Sequence, residues 1–222
     1  MKSLSIFIKE NESLKILKVN NGGNGPEGTE ILCNALLDSN LKLKVIEMER
    51  NQLQDKGASF IAKVLEYMKS YETFNLSQNK IRKEYFTNII KSASLNTELT
   101  EIKIADNSMP LEAVKEFCIL IGKCLKLRKF DLSDNLLKGE SIIKILNALL
   151  DNNSNIEEIY FNGNEIDEGK EIVNEIFESL IKLKSVKKIN VSENSFGKSY
   201  LKKYGPKFQQ KGITILIRSE DE

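Results

Sequence analysis

The sequence predicts an α/β fold, a horseshoe-shaped solenoid of about seven to eight β-α repeats with an inner parallel β-sheet and outer helices. Three observations lead there. A nine-residue stretch recurs at a nearly constant period, an asparagine closes almost every copy, and the segments between copies carry apolar residues at helical spacing.

The nine-residue copies are "LKILKVNNG" from Leu14, "LKVIEMERN" from Leu43, "YETFNLSQN" from Tyr71, "LTEIKIADN" from Leu99, "LRKFDLSDN" from Leu127, "IEEIYFNGN" from Ile156 and "VKKINVSEN" from Val186. Their starts are 29, 28, 28, 28, 29 and 30 residues apart. Six end in asparagine, at Asn51, Asn79, Asn107, Asn135, Asn164 and Asn194, and each has an apolar residue two places later. This is the leucine-rich-repeat pattern L-x-x-L-x-L-x-x-N-x-L at the long period of the ribonuclease-inhibitor type. Alternate strand residues such as Phe130 and Leu132 point into the core. The chain then turns away, and a buried asparagine, with both donor and acceptor, satisfies backbone groups that the turn would otherwise leave unpaired. Repeated every coil, it makes a ladder.

The elements follow in order. "SLSIFIKENES" reads as the helix of a repeat that lacks its own strand, so residues 1–13 form a partial N-terminal repeat or cap of one repeat domain over 1–217. Between strands, Ala58, Ile61, Leu65 and Met68 fall on one helix face, as do Ile142, Leu146 and Leu149. Strands stack about 4.8 Å apart and helices about 8–10 Å apart, so the array curves with the strands inside. Strand positions Lys18, Glu47, Asn75, Lys103, Asp131, Tyr160 and Asn190 are expected on the inner face. The basic "KSYLKKYGPKFQQK" reads as a solvated helix face, Ile213 to Ile217 as a last strand, and 218–222 as a short acidic tail.

One turn breaks the pattern. In "VNNGGNGPEG" Gly22 holds the ladder position and Asn24 the apolar one, while Gly23, Gly25 and Gly28 spell G-x-G-x-x-G with Glu47 and Glu49 downstream. A dinucleotide-binding unit would not be followed by six more copies of its strand and turn, so the phosphate-cradle reading falls. The glycines suggest instead a backbone path of its own for this turn. That leaves either end drift of a terminal repeat or a rim loop exposing Asn20 and Asn21 to a partner.

The totals exclude other classes. With 33 Lys and Arg against 32 Asp and Glu, the net charge of +1 argues against nucleic-acid binding driven by overall charge. No stretch approaches the roughly 18 apolar residues of a membrane span. There is no histidine, and Cys33, Cys118 and Cys124 lack metal-ligand spacing. A reduced, cytoplasmic, monomeric chain without metal or cofactor is expected.

At the turns the chain resembles the GTPase-activating proteins of the small GTPase Ran. "LKILKVNNGGNGPEG" is similar to that family's N-N-G-x-G-P turn, Arg50, Asn51 and Leu53 match its R-N-x-L turn, and Gln78, Asn79, Ile81 and Arg82 its Q-N-x-I-R turn. "GNEI" and "ENSF" also fall in register. The resemblance implies activation without an arginine finger, a device worth about 10³–10⁵ in rate elsewhere. The activator instead holds the GTPase's own glutamine in place, with the asparagine matching Asn21 reaching toward the nucleotide. It implies a Ran-like partner in its GTP form, with GTP and magnesium bound by that partner. Asn20, Arg50, Gln52, Lys56, Lys80 and Arg82 would form the contact edge. The chain departs from the family at Gln52, where a basic residue is expected, in the short "SEDE" tail, and in lacking counterparts to upstream repeats. A non-catalytic protein-binding scaffold, or a truncated or inactive relative, therefore stays open.

Overall fold

The computed structural model describes residues 1–152, 155–166 and 169–217; the anticipated acidic tail, 218–222, lies outside them. Helices and strands alternate throughout, as α1 (Lys2–Glu10), β1 (Ile16–Lys18), α2 (Gly25–Leu37), β2 (Val45–Glu47), α3 (Gln54–Tyr67), β3 (Thr73–Asn75), α4 (Lys83–Ala93) and β4 (Glu101–Lys103). The second half continues with α5 (Leu111–Lys123), β5 (Lys129–Asp131), α6 (Gly139–Asn152), β6 (Glu158–Tyr160), α7 (Lys170–Lys182), β7 (Lys188–Asn190), α8 (Lys198–Gln210) and β8 (Thr214–Leu216).

The eight strands form one sheet in sequence order, every neighbouring pair parallel. Each strand is only three residues long, so a single central side chain faces the core. These central residues align as one apolar column, Leu17, Ile46, Phe74, Ile102, Phe130, Ile159, Ile189 and Ile215. All but Ile215 are buried. The helices close the other side of that core. Ala58, Ile61, Leu65 and Met68 are buried, as are Ile142, Leu146 and Leu149, which are the faces that the helical spacing marks. Phe130 packs edge-on against Phe117 at 5.4 Å, joining a strand to the helix of the repeat before it. At the C-terminal end Phe177 stacks on Tyr204 at 4.9 Å, and Phe208 is buried beside them, so α8 caps the core with one aromatic face. Its other face carries the lysines of "KSYLKKYGPKFQQK" to solvent.

The asparagine ladder is present in detail. Asn79, fully buried, accepts from the backbone N–H of Asn51 at 2.9 Å and of Leu53 at 3.4 Å through Oδ1. Its Nδ2 donates to the carbonyls of Met48, Leu76 and Ser77 at 2.8, 3.0 and 3.0 Å. Asn107, Asn164 and Asn194 repeat the accepting pair toward the turn before them.

Two expectations are corrected. Asn75 is buried rather than displayed on the inner face. Its Nδ2 donates to Glu49 Oε2 at 2.9 Å and its Oδ1 accepts from the Ser77 N–H at 3.0 Å, which folds the amide against the sheet. The first turn also has no path of its own. Asn21 is left-handed at φ 57°, like its counterparts Arg50 (53°), Gln78 (59°), Asp106 (50°), Asp134 (54°), Gly163 (66°) and Glu193 (55°). Gly23 at 55° likewise matches Gln52 at 56° and Lys80 at 58°. The glycines there lower the cost of a conformation that other turns impose on residues with side chains.

Candidate partner-binding rim

The loops that leave the C-terminal ends of β1, β2 and β3 form the start of one rim. In the first of them the Asn24 amide donates in place of the backbone N–H groups that fill this rung in later turns. Its Nδ2 donates to Asn51 Oδ1 at 2.6 Å, and the Gly25 N–H donates to the Asn51 carbonyl at 2.9 Å. Gly22 is what lets the displaced amide in, because a Cβ there would lie 2.5 Å from Asn24 Nδ2 and 2.8 Å from Asn51 Oδ1. In the sequence Asn24 stands out only as a polar residue at an apolar position, not as a donor to the ladder. The signal that could have found it is an asparagine two places after a glycine that occupies the ladder position.

The two preceding asparagines differ in what they have left to offer. Asn20 is exposed, yet its Nδ2 donates to Glu47 Oε2 at 3.0 Å and its Oδ1 accepts from the Glu49 N–H at 2.9 Å. It ties β1 to the next turn. Burial pushes the Glu47 carboxyl up, but hydrogen bonds from Lys18 and Asn20 and the charges of Lys18 and Lys103 outweigh that and hold it below its usual value. Asn21 donates its backbone N–H to the Glu49 carbonyl at 2.8 Å. Its side-chain amide is exposed and has no hydrogen-bond partner among the described residues.

The basic residues fall into two groups. Lys56, Lys80 and Arg82 line one shallow cleft of about 330 Å³ together with Gln54 and Asp55. Asp55 accepts the Arg82 backbone N–H at 3.0 Å, and Lys56 pairs with Glu27 at 3.4 Å. That lysine, after the backbone N–H of Glu27 itself, lowers the Glu27 carboxyl. Arg50 does not line the cleft; its Nε donates to Gln78 Oε1 at 2.6 Å, bridging the second and third turns. Gln52 is exposed and left-handed, and it too stands outside the cleft. Gln54 and Asp55 are rim participants that the sequence pattern did not single out.

Chemically, this rim offers amides and cations to a bound surface. The chain has no histidine. Burial pushes the Cys33 thiol up to about 12 and the Cys124 thiol up to about 11, so neither supplies a thiolate near neutrality. Among the described residues no cluster of three or more metal-ligating side chains occurs, and no helix is long and apolar enough to cross a membrane.

Eight parallel strands in an open sheet, one helix per strand and the asparagine ladder define an α/β leucine-rich-repeat solenoid. A model described as "Leucine Rich repeat" matches residues 39–62. Mouse (Mus musculus) ribonuclease inhibitor is 24% identical over 149 residues, covering 67% of this chain and 33% of that protein. The Ran GTPase-activating protein of Drosophila melanogaster is 34% identical over 96 residues, covering 39% of this chain and 16% of that protein. The matched segments thus span a third or less of either relative. Among solved structures, an internalin from Listeria monocytogenes superposes with a TM-score of 0.53 at 12% identity, covering 98% of this chain and 57% of that one. At that identity the likeness is one of fold.

Proposed function

We propose that this chain is a protein-binding scaffold, one repeat domain over 1–217, whose first three turns engage a small GTPase of the Ran type in its GTP form and speed its hydrolysis. A curved sheet with rim loops offers a large rigid surface for a protein partner. GTP and magnesium come with that partner, and the chemistry stays in its active site, assisted by positioning. The observation that carries the reading is Asn21, an exposed amide with no hydrogen-bond partner among the described residues, on the turn that resembles the Ran activators. A neutral amide can both donate and accept beside a phosphate without adding charge. Lys56, Lys80 and Arg82 on the neighbouring turns supply a cationic edge, and the 34% identity to the Drosophila activator supports the same partner class.

Single-turnover GTP hydrolysis by Ran, with and without this chain, tests it. Acceleration is expected with the natural chain and its loss with Asn21→Gly, which removes the amide while accepting φ 57° freely. Absence of acceleration at saturating concentration removes the activating role, and retained binding of Ran then leaves the scaffold alone.

A further inference from the structure

The asparagine ladder is interrupted between the fourth and fifth repeats. Asn135 is fully buried and its Nδ2 donates to the carbonyls of Ile104 at 2.9 Å and Ser133 at 3.0 Å. Its Oδ1, however, has no hydrogen-bond partner. By the pattern of the other turns it should accept from the N–H groups of Asn107 and Met109, as Asn107 does from Asn79 and Ile81. Such an unpaired buried acceptor is uncommon and calls for an explanation.

The residue after the ladder asparagine supplies one. Gln52, Lys80, Leu136 and Glu165 hold that position at φ values of 54–58°. Ser108 and Ser195, in the fourth and seventh turns, do not adopt the left-handed conformation. Each instead donates its N–H back to the preceding turn, Ser108 to Ile81 and Ser195 to Ile166, both at 3.1 Å. Two serines thus give the same alternative turn. In the seventh turn Asn194 still accepts from the N–H groups of Asn164 and Ile166. After the fourth, the rung to Asn135 is missing.

Like charges also meet at the same place. Asp106 and Asp134 hold equivalent positions in the fourth and fifth turns. Burial first, then the charges of Glu193, Asp106 and Asp131, push the Asp134 carboxyl up. The sheet itself continues across, with Ile104 N–H to Asp131 carbonyl at 3.0 Å and Asp106 N–H to Ser133 carbonyl at 2.9 Å. The seam is therefore joined but lacks the side-chain rung that its neighbours have.

We propose that this seam is a hinge, so that repeats one to four and repeats five to eight move as two units and the curvature of the inner face adjusts about Ser108. Low-stability openings concentrate where local bonding is sparser, and this seam, which divides the array in half, lacks one hydrogen-bonded rung while Phe117 still packs on Phe130 across it at 5.4 Å. A partner that touches both the first three turns and the later ones would fix the hinge angle. The inference stands independently of which partner that is.

Hydrogen exchange on the intact chain tests it. The amides of Asn107 and Met109 are expected to exchange roughly tenfold or more faster than those of Asn79 and Ile81. Ser108→Gly, which admits the left-handed turn, is expected to slow both to the level of their counterparts. That gain cannot come from the unfolded state, which glycine favours. Spin labels at Glu12→Cys and Gln210→Cys, in a Cys118→Ser background, should give a broad distance distribution that narrows with Ser108→Gly. Equal protection of Asn107 and Asn79 in the natural chain overturns the hinge. So does a distance distribution that Ser108→Gly leaves unchanged.

Discussion

Replacing Asn79 by alanine puts a value on one rung. Its Oδ1 satisfies the buried N–H of Asn51 at 2.9 Å and, more weakly, that of Leu53 at 3.4 Å. Its Nδ2 reaches three carbonyls at 2.8–3.0 Å. A buried donor stripped of its partner costs about 1–3 kcal/mol, and a neutral hydrogen bond lost to a group with another partner roughly 0.5–1.5 kcal/mol. One full orphan, one weak one and thinner cover of the carbonyls give about 3–4 kcal/mol for Asn79→Ala. Asn135→Ala provides the internal control. Its Oδ1 satisfies nothing, so only the two Nδ2 bonds go, for about 1–2 kcal/mol. Urea unfolding followed by far-ultraviolet circular dichroism, with midpoint and slope both fitted, measures the difference. If Asn135→Ala costs as much as Asn79→Ala, the accepting half of the ladder contributes nothing and the reasoning fails.

Two further outcomes follow from the same geometry. Gly22→Ala should destabilise by about 1–3 kcal/mol, since its Cβ meets Asn24 Nδ2 and Asn51 Oδ1. The double change Gly22→Asn with Asn24→Leu restores the ordinary pattern and should recover most of that loss in the same urea titration. Asp134→Asn should stabilise at pH 7. The folded-state carboxyl is raised, so its charged form opposes folding as pH rises through the carboxylate range, and the advantage of the amide shrinks as pH falls and Asp134 protonates. Thermal midpoints of both proteins from pH 3 to pH 8 check the sign, and an advantage for Asn that grows toward low pH contradicts it.

Much of this molecule could be read from its chain because every repeat solves the same local problem. The apolar column from Leu17 to Ile215 and the helix faces around Ile61 and Leu146 follow from spacing alone, since each is set by the geometry of a strand or helix. The asparagines at 51, 79, 107, 135, 164 and 194 follow too, as the residue type that a buried turn requires. At the rim the pattern marked Asn21 and the cations, and the structure brings Lys56, Lys80 and Arg82 to one cleft while tying Arg50 to Gln78. Whether those residues act is a matter of the partner, which no single chain encodes in its spacing.

What only the tertiary structure decided lies between turns, where side chains from residues 26–30 apart in sequence meet. Asn24 closes the first rung from two places away because Gly22 clears the space. Asn20 spends its amide on Glu47 and Glu49, whereas the neighbouring Asn21 keeps its own free of any partner among the described residues. Asn135 lacks its rung beside Ser108, one residue in another repeat whose N–H bonds back to Ile81. A repeat pattern fixes what each coil contains, but the phase of one coil against the next decides which polar atoms meet. That phase is a property of the stack.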